Sequence, residues 1–332
     1  MKDIIRQLVQ VPGPSGYEKQ IRETIRQLIQ PYADDIQTDA LGNLIARKGK
    51  KTKNGKRIML AAHIDEIGIM VTHVDENGFV RFTNIGGVFP RYTPAGRVRF
   101  LDGTTGVIGT EQIDDPYKVP KLEKMYIDVG ATSKETCPVK TGDVAVFERA
   151  FAEMGKRLVS KAMDDRISVA VLIETLRQLK SSPHEIHFVF TVQEEVGVRG
   201  SMTAAYQITP EIGLAVDVTR TGDTPKGIKM DVSLGKGPAI KVRDSMTLAD
   251  PRIVDWMIAT AKNNQIPYQL EVLERGGTDA HAIQLSKAGV PAGCLSIPCR
   301  YIHSPSEMID LDDVENAVKL LLQLMQNPIE TL

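Results

Sequence analysis

One long stretch of the chain, from about residue 72 to residue 157, carries almost no helical periodicity. It consists of short strand-like runs such as GRVRFLDGTTGVIG and GDVAVFE, separated by turn signals such as Glu76-Asn77-Gly78 and Asp102-Gly103. Several short strands at this spacing predict a small β-barrel or β-sandwich. Because the sequence on both sides follows a different pattern, a barrel inserted into another domain is the simplest organisation.

The segments on either side of this stretch alternate between strand and helix patterns. RIMLAAHID, EIHFVFTV and IGLAVDV are short apolar runs typical of buried strands. DDRISVAVLIETLRQL and DLDDVENAVKLLLQLMQ predict helices with an apolar face. We therefore predict a mixed-sheet α/β/α domain built from residues 1–71 and 158–332, with residues 72–157 inserted as a β-barrel.

Two local patterns near the N-terminus predict individual elements. Ser15 and Glu18 have the spacing of a capping box and precede apolar residues at helical spacing, so a helix capped by Ser15 is expected there. IQTDALGNLIARK alternates in polarity around a central Gly-Asn pair, which predicts a hairpin.

Composition excludes several classes of function. The 332 residues include 41 Lys and Arg against 42 Asp and Glu, a balance that argues against binding to nucleic acid or to an anionic membrane. No apolar run is long enough to cross a membrane, and the N-terminus lacks the unbroken apolar core of a signal peptide. Three cysteines cannot build a disulfide framework. We therefore expect a cytoplasmic protein.

Histidine or carboxylate residues follow four of the predicted strands, and a further aspartate, Asp164, begins a predicted helix. The strand-end residues are His63 and Asp65, Glu194 and Glu195, Asp217, and His303. Because ligands bind beyond the carboxyl ends of strands in open α/β sheets, these side chains are expected to meet at one edge. Each has an ordinary alternative as a structural histidine, a turn residue or a helix cap. A single site explains all of them together better than separate coincidences.

The paired glutamates suggest what such a site binds. Successive side chains on a strand point to opposite faces, so Glu194 and Glu195 cannot both be surface residues if the strand continues through them. A buried carboxylate needs a cationic partner or a metal ion. Two imidazoles with several carboxylates suit zinc, cobalt or manganese, and there are enough ligands for two ions sharing one carboxylate. Two such ions can activate water for hydrolysis. Asp65 is placed to accept the second N–H of His63.

The ordered series HID, MDD, QEE, VDV and YIHSP resembles that of the dinuclear metallo-aminopeptidases. The long gap between Asp65 and Asp164, together with AAHIDEIG, SKAMDDR, QEEVGVRG, GGTDA and RYIHS, is similar to the glutamyl/deblocking aminopeptidase family, which includes the tetrahedral (TET) aminopeptidases. The resemblance covers essentially the whole chain.

This resemblance implies a ligand set for two divalent ions per subunit, with zinc or cobalt expected and manganese as an alternative. His63 and Asp217 would complete one metal site, Glu195 and His303 would complete the other, and Asp164 would bridge them. A bridging role also predicts a cis peptide bond between Asp164 and Asp165, a geometry found in the wider clan.

The resemblance also implies catalytic roles and partners. Glu194 would be the general base, Asp65 would orient His63, and Gly277 and Thr278 of the GGTDA motif would contact the substrate. The substrates would be short peptides, shortened one residue at a time from a free N-terminus. The barrel would mediate dimers, which would assemble into a homododecamer.

Three other functions remain as alternatives. An endoglucanase-type glycoside hydrolase uses two carboxylates, but it needs neither two histidines nor further aspartates, and Trp256 is the chain's one tryptophan platform for a sugar. A non-enzymatic assembly protein would use the same ligands structurally, although structural zinc sites are usually rich in thiolates. An amidase or deacylase would act on small acyl-amino substrates with the same machinery.

The sequence leaves the preferred N-terminal residue of a peptide substrate open. An acidic residue would need a cationic pocket, and five arginines lie near the motifs: Arg199, Arg220, Arg243, Arg275 and Arg300.

Overall fold

The computed structural model describes residues 1–115 and 117–329. These residues form an 11-stranded mixed sheet flanked by helices, and a closed six-stranded antiparallel barrel. The predicted α/β domain with an inserted β-barrel is confirmed. No helix within the described ranges is long and apolar enough to span a membrane.

The helices are distributed through the sheet domain. In chain order they are α1 (Lys2–Gln10), α2 (Lys19–Ile29), α3 (Met163–Gln178), α4 (Arg199–Ile208), α5 (Pro251–Asn263), α6 (Asp279–Gln284) and α7 (Leu311–Gln326). Short 3-10 helices occur at Pro90–Tyr92 and Leu122–Lys124.

The strands divide between the two units. The sheet contains β1 (Asp35–Thr38), β2 (Leu44–Lys48), β3 (Arg57–His63), β10 (Ala152–Met154), β11 (Arg157–Ser160), β12 (Glu185–Thr191), β13 (Ile212–Thr219), β14 (Ala239–Arg243), β15 (Gln269–Val272), β16 (Ala292–Arg300) and β17 (Glu307–Asp310). The barrel contains β4 (Gly68–Val74), β5 (Val80–Ile85), β6 (Arg97–Phe100), β7 (Thr105–Thr110), β8 (Met125–Asp128) and β9 (Val144–Glu148), in the order β4-β5-β8-β7-β6-β9.

Four parallel strands, β12, β3, β13 and β16, form the centre of the sheet. They are apolar on both faces because both faces are covered. On β3, Leu60 packs into the larger core with α3 and α7, whereas Met59 and Ala61 face a second core beneath α4 and α6. This two-sided burial explains why the strands are continuous apolar runs in the sequence.

The barrel has a separate apolar core that includes Val80, Val98 and Ile127. Its strands extend from Gly68 to Glu148, so the predicted insert of residues 72–157 is offset from them. Strand β4 begins before residue 72, and β10 already belongs to the large sheet.

The two local predictions at the N-terminus had different outcomes. The hairpin is confirmed, since β1 and β2 pair antiparallel across the turn that contains Gly42 and Asn43. The capping box is wrong: Glu18 occupies the N-cap of α2, which has no side-chain cap, and Ser15 bonds elsewhere. Ser15 donates to the distant Asp65, while Glu18 Oε1 accepts hydrogen bonds from the backbone N–H of Gly16 (2.7 Å) and of Gln193 (3.2 Å).

Candidate metal centre

The carboxyl ends of the central strands bring the predicted residues to one edge of the sheet. His63 is the last residue of β3, and Asp217 lies two residues before the end of β13. Glu194 and Glu195 follow β12, and His303 follows β16. The start of α3 adds Asp164 to the same cluster.

The Asp164 carboxylate lies between the two imidazoles. Its Oδ1 is 3.0 Å from His63 Nε2, and its Oδ2 is 3.2 Å from His303 Nε2. Each imidazole also faces a carboxylate of its own: Glu195 Oε2 is 3.2 Å from His303 Nε2, and Asp217 Oδ1 is 4.0 Å from His63 Nε2. The geometry is therefore that of two half-sites that share one carboxylate.

The charges of this cluster fit a pair of cations. Burial raises the pKa of Asp217 well above its ordinary value, and although His63 opposes the shift, the charge of Asp164 adds to it. Burial likewise raises the pKa of Glu194 against the opposing effect of His63. Burial alone would lower the pKa of His303, but the carboxylates of Glu195 and Asp164 outweigh it and raise that pKa to about 11. Carboxylates thus outnumber the nearby cationic groups. Bound divalent ions would balance this excess of negative charge.

Two groups of side chains have donor atoms close enough to hold an ion. Within each group, one atom from every residue lies within 4.8 Å of the others; the groups are His63, Asp164 and Glu195, and His63, Asp165 and Asp217. The nitrogen and oxygen donors are those that zinc, cobalt and manganese accept. Asp165 was not among the predicted ligands, and its Oδ2 also accepts a hydrogen bond from the backbone N–H of His63 at 3.3 Å.

The Asp164–Asp165 peptide bond is cis, so that prediction is confirmed. The backbone around other predicted ligands is also unusual, because Gln193, Tyr301 and His303 have φ between 57° and 63°. This left-handed region is sparsely populated by residues other than glycine, and such residues concentrate at functional sites.

Asp65 contacts other residues of the centre besides His63, its predicted partner. His63 Nδ1 is 3.1 Å from the Asp65 carbonyl oxygen and 3.5 Å from its Oδ1, so the closer contact is with the main chain. The Asp65 carboxylate accepts hydrogen bonds from the backbone N–H groups of Glu194 (3.0 Å) and Glu195 (3.2 Å). It also accepts one from Ser15 Oγ at 2.6 Å. Asp65 therefore fixes the backbone of both glutamates as well as His63.

Glu307 is a buried residue of the site that the sequence did not reveal. Its two carboxylate oxygens accept hydrogen bonds from the backbone N–H of Asp164 (3.0 Å) and of His303 (2.8 Å). It joins two segments that carry predicted ligands and are far apart in the chain. Its position four residues after His303, at the start of β17, was the only local signal.

Gly277 and Thr278, predicted to contact substrate, lie at the beginning of α6. The hydroxyl of Thr278 accepts a hydrogen bond from Ala280 N and caps this helix, and Gly277 packs against Met246. The next residue, Asp279, is buried and accepts a hydrogen bond from Thr191 at the end of β12. The charge of Asp279 contributes to the raised pKa of Glu194 and of Asp217.

A turn of the barrel completes the walls of the centre. A Cβ added to Gly87 would lie 2.4 Å from His303 Nδ1, and one added to Gly86 would lie 3.0 Å from the Cβ of Glu195. The ring of Phe89 lies 5.9 Å from that of His303. The two glycines therefore allow the barrel backbone to approach the ligands more closely than any side chain would permit.

Comparison with known proteins identifies related chains over nearly the whole length. Residues 42–320 match the family described as M42 glutamyl aminopeptidase. A relative from Acetivibrio thermocellus is 48% identical over 327 residues, covering 97% of this chain and 98% of its own. An aminopeptidase from the archaeon Desulfurococcus kamchatkensis is similar in structure with a TM-score of 0.94 and 40% identity, covering 98% of this chain and 94% of its own.

A further solved structure carries a description of its assembly. The TET1 peptidase of Pyrococcus horikoshii is described as able to form a tetrahedron or a large octahedral shell. It is similar to this chain with a TM-score of 0.89 and 35% identity, and the match covers 98% of this chain and 99% of that one.

Proposed function

Since the chain belongs to the M42 glutamyl aminopeptidase family and is a metal-dependent aminopeptidase, we propose how its own residues divide the work of hydrolysis. The observation that carries the proposal is the Asp164 carboxylate placed between His63 and His303. A carboxylate that presents one oxygen to each imidazole is arranged to be shared by two ions. The substrates are short peptides, cleaved at the first peptide bond.

His63 and Asp217 would hold one divalent ion, Glu195 and His303 would hold the other, and Asp164 would contribute to both. Zinc or cobalt suits this nitrogen and oxygen donor set, with manganese as an alternative. When bound, such ions polarise the scissile carbonyl and make water more acidic. Glu307 holds the backbone of Asp164 and His303, so that the ligands of both half-sites are oriented by one carboxylate.

Glu194 is the general base. It belongs to neither of the two groups whose donor atoms lie close enough to hold an ion, and its side chain is 13% exposed. It therefore stands beside the ligands with access to the substrate. It takes the proton of the attacking water and passes it to the leaving amine, while Asp65 holds its backbone N–H.

Replacing each glutamate separately tests this division of labour. Glu194→Gln should lower kcat by about 100-fold to 10,000-fold, the usual contribution of a general base, with metal content unchanged. Glu195→Gln should lower the metal content as well as kcat, because it removes an anionic ligand. Metal content by plasma mass spectrometry and turnover of an aminoacyl-p-nitroanilide measure the two effects. Equal metal loss in both variants, or substantial activity of metal-saturated Glu194→Gln, would contradict the assignment.

The alternatives are separated by the family assignment and by one substrate pair. The matched family and the aminopeptidase from Desulfurococcus kamchatkensis favour an aminopeptidase over a glycoside hydrolase. An amidase or deacylase would accept a blocked amine, whereas an aminopeptidase requires a free one. Leucine p-nitroanilide should therefore be hydrolysed with zinc, cobalt or manganese, and its N-acetyl derivative should not.

The inserted barrel, predicted over residues 72–157 and with strands from Gly68 to Glu148, serves as a dimerisation domain, and six dimers build a homododecamer. Support comes from the separate apolar core of the barrel and from the tetrahedral assembly described for the Pyrococcus horikoshii peptidase. The free state of Cys137, Cys294 and Cys299 supports a reducing, cytoplasmic location. A stable monomer in light scattering at micromolar concentration would contradict the assembly without affecting the chemistry.

A further inference from the structure

A cavity of about 340 Å³ opens beside the metal centre. Tyr301 and Ile302, the two residues before His303, form part of its wall. Arg91 enters from the barrel, and Arg220 enters from the segment that follows β13, three residues after Asp217. The cavity is thus bordered by segments that also carry ligands of both half-sites, so a substrate held at the ions can extend into it.

The lining of this cavity is strongly cationic. Its basic side chains are Arg91, Arg220, Lys226 and Arg300, and no aspartate or glutamate lines it among the residues that the structure describes. Arg300 is neutralised by Asp223, which accepts hydrogen bonds from its Nε (2.9 Å) and Nη2 (2.7 Å). Arg91, Arg220 and Lys226 have no ion-pair partner within residues 1–115 and 117–329. Three positive charges therefore face the cavity unpaired.

An aromatic ring holds two of these cations at the mouth of the metal centre. The guanidinium carbons of Arg91 and Arg220 lie 5.4 and 5.9 Å from the centroid of the Phe89 ring, the ring that also lies 5.9 Å from His303. Arg91 contacts Tyr92 as well, at 4.8 Å. Stacking on one ring brings both arginines to the side of the cavity that borders the metal centre.

The other arginines near the motifs do not share this arrangement. Arg199 donates a hydrogen bond to Gln193 Oε1 at 3.3 Å, and neither Arg243 nor Arg275 lines the cavity. Of the five arginines that the sequence singles out, Arg220 is the one that faces the cavity without an acidic partner in the described chain. Arg91, which lies outside the sequence motifs, joins it because the barrel packs against the sheet domain.

We propose that this cavity receives a carboxylate of the peptide substrate, and that Arg220 and Arg91 determine specificity for it. The inference rests on the proposed function. A guanidinium group binds a carboxylate through two parallel hydrogen bonds, which favours this anion at an arginine-lined site. The carboxylate belongs either to the side chain of an acidic first residue or to the C-terminus of a short peptide, and both present the same group.

Two substrate pairs, tested on the metal-loaded full-length enzyme, identify the source. Glutamate and glutamine p-nitroanilides differ in the side-chain carboxylate and have no C-terminal one. Leu-Gly-Gly and its C-terminal amide differ only in the main-chain carboxylate. In one pair, kcat/KM should be about tenfold or more higher for the carboxylate substrate, the usual effect of a charge-assisted hydrogen bond. Equal kcat/KM within both pairs would overturn the proposal.

The variant Arg220→Ala should remove most of the preference by lowering kcat/KM for the carboxylate substrate about tenfold, with little change for its neutral partner. Arg220→Lys, which keeps the charge but not the paired donors, should restore part of it. Arg97→Ala is the matched control, since this exposed arginine lies on β6 and does not line the cavity. Equal losses for both members of a pair in Arg220→Ala would also overturn the assignment.

A binding measurement separates this inference from the proposed function. If no p-nitroanilide or peptide is hydrolysed, the aminopeptidase proposal fails, and calorimetric titration with glutarate then decides about the cavity. Glutarate binding that is lost in Arg220→Ala and kept in Arg97→Ala supports a carboxylate site. Absent binding, or binding that does not depend on Arg220, overturns it.

Discussion

The sheet domain and the barrel bury different kinds of side chain. From Gly68 to Glu148, Thr93 is the one buried polar residue in the described part of the barrel, and the rest of its core is apolar. The sheet domain buries many charged groups, including Glu66, Lys161, Arg166, Lys241 and Glu271. The barrel is therefore stabilised by apolar burial, whereas the sheet domain also has to balance charge in its interior.

Within the sheet domain, the buried ion pairs differ from the metal centre. Lys161 Nζ is 2.7 Å from Glu66 Oε2, and Lys241 bonds Glu271, so each cation has a carboxylate beside it. Burial lowers the pKa of Lys161, and Glu66 opposes that shift. The metal centre has no comparable internal balance. Charge balance therefore separates the structural pairs from the functional cluster in the same domain.

The sharpest test of the comparison is a cavity in the barrel core. Ile127 is fully buried in β8, and Ile127→Ala should lower the free energy of unfolding by about 2 to 5 kcal/mol, since it removes packed methyl groups and leaves a void. Chemical denaturation measures this loss. Metal affinity and KM of the folded protein should not change. An equally large loss of metal affinity would show that the two units are not energetically separate.

Gly87→Ala tests the turn where the barrel backbone approaches His303, a proposed metal ligand. The added Cβ would displace the His303 ring, because it would lie 2.4 Å from Nδ1, so metal affinity at the Glu195 and His303 half-site should fall about 10-fold to 100-fold. A stepwise titration with cobalt, monitored by the absorption spectrum of the bound cobalt, measures the affinity. Gly103→Ala is the control, because Gly103 has nothing within 4 Å of an added Cβ and its φ of 96° makes that change costly for stability alone. Equal titrations for both variants would contradict a role for the barrel in the site.

Ser15→Ala should have the smallest effect and would show how far the metal centre depends on the N-terminal segment. It removes the 2.6 Å hydrogen bond to Asp65 Oδ2, and we expect kcat to fall about tenfold, as for a lost bond to a charged group. Ser15→Thr keeps the hydroxyl and should restore most of the activity. If Ser15→Ala and Ser15→Thr were equally impaired, packing rather than the hydrogen bond would explain the loss.

Local sequence patterns were sufficient to predict the fold class and most of the strand ends. The apolar runs of β3, β12, β13 and β16 are readable because two-sided burial requires nearly every position to be apolar. The position of His63 at the end of β3 follows from the point where such a run stops. The barrel was recognisable because its turns recur at short intervals. These features depend on residues that are close in the chain, so they can be predicted from the spacing of apolar residues and turn signals.

Local patterns specify which residue types stand at the sheet edge, but the contacts of those residues depend on how distant segments pack. The pattern of Ser15 and Glu18 matched a capping box, yet Ser15 bonds Asp65 and Glu18 accepts a hydrogen bond from Gln193 N. Arg91 reaches the cavity only because the barrel packs on the sheet domain. The physical reason is that a hydrogen-bonding side chain has several possible partners of similar energy. Packing of distant segments selects among them, and no local spacing encodes that selection.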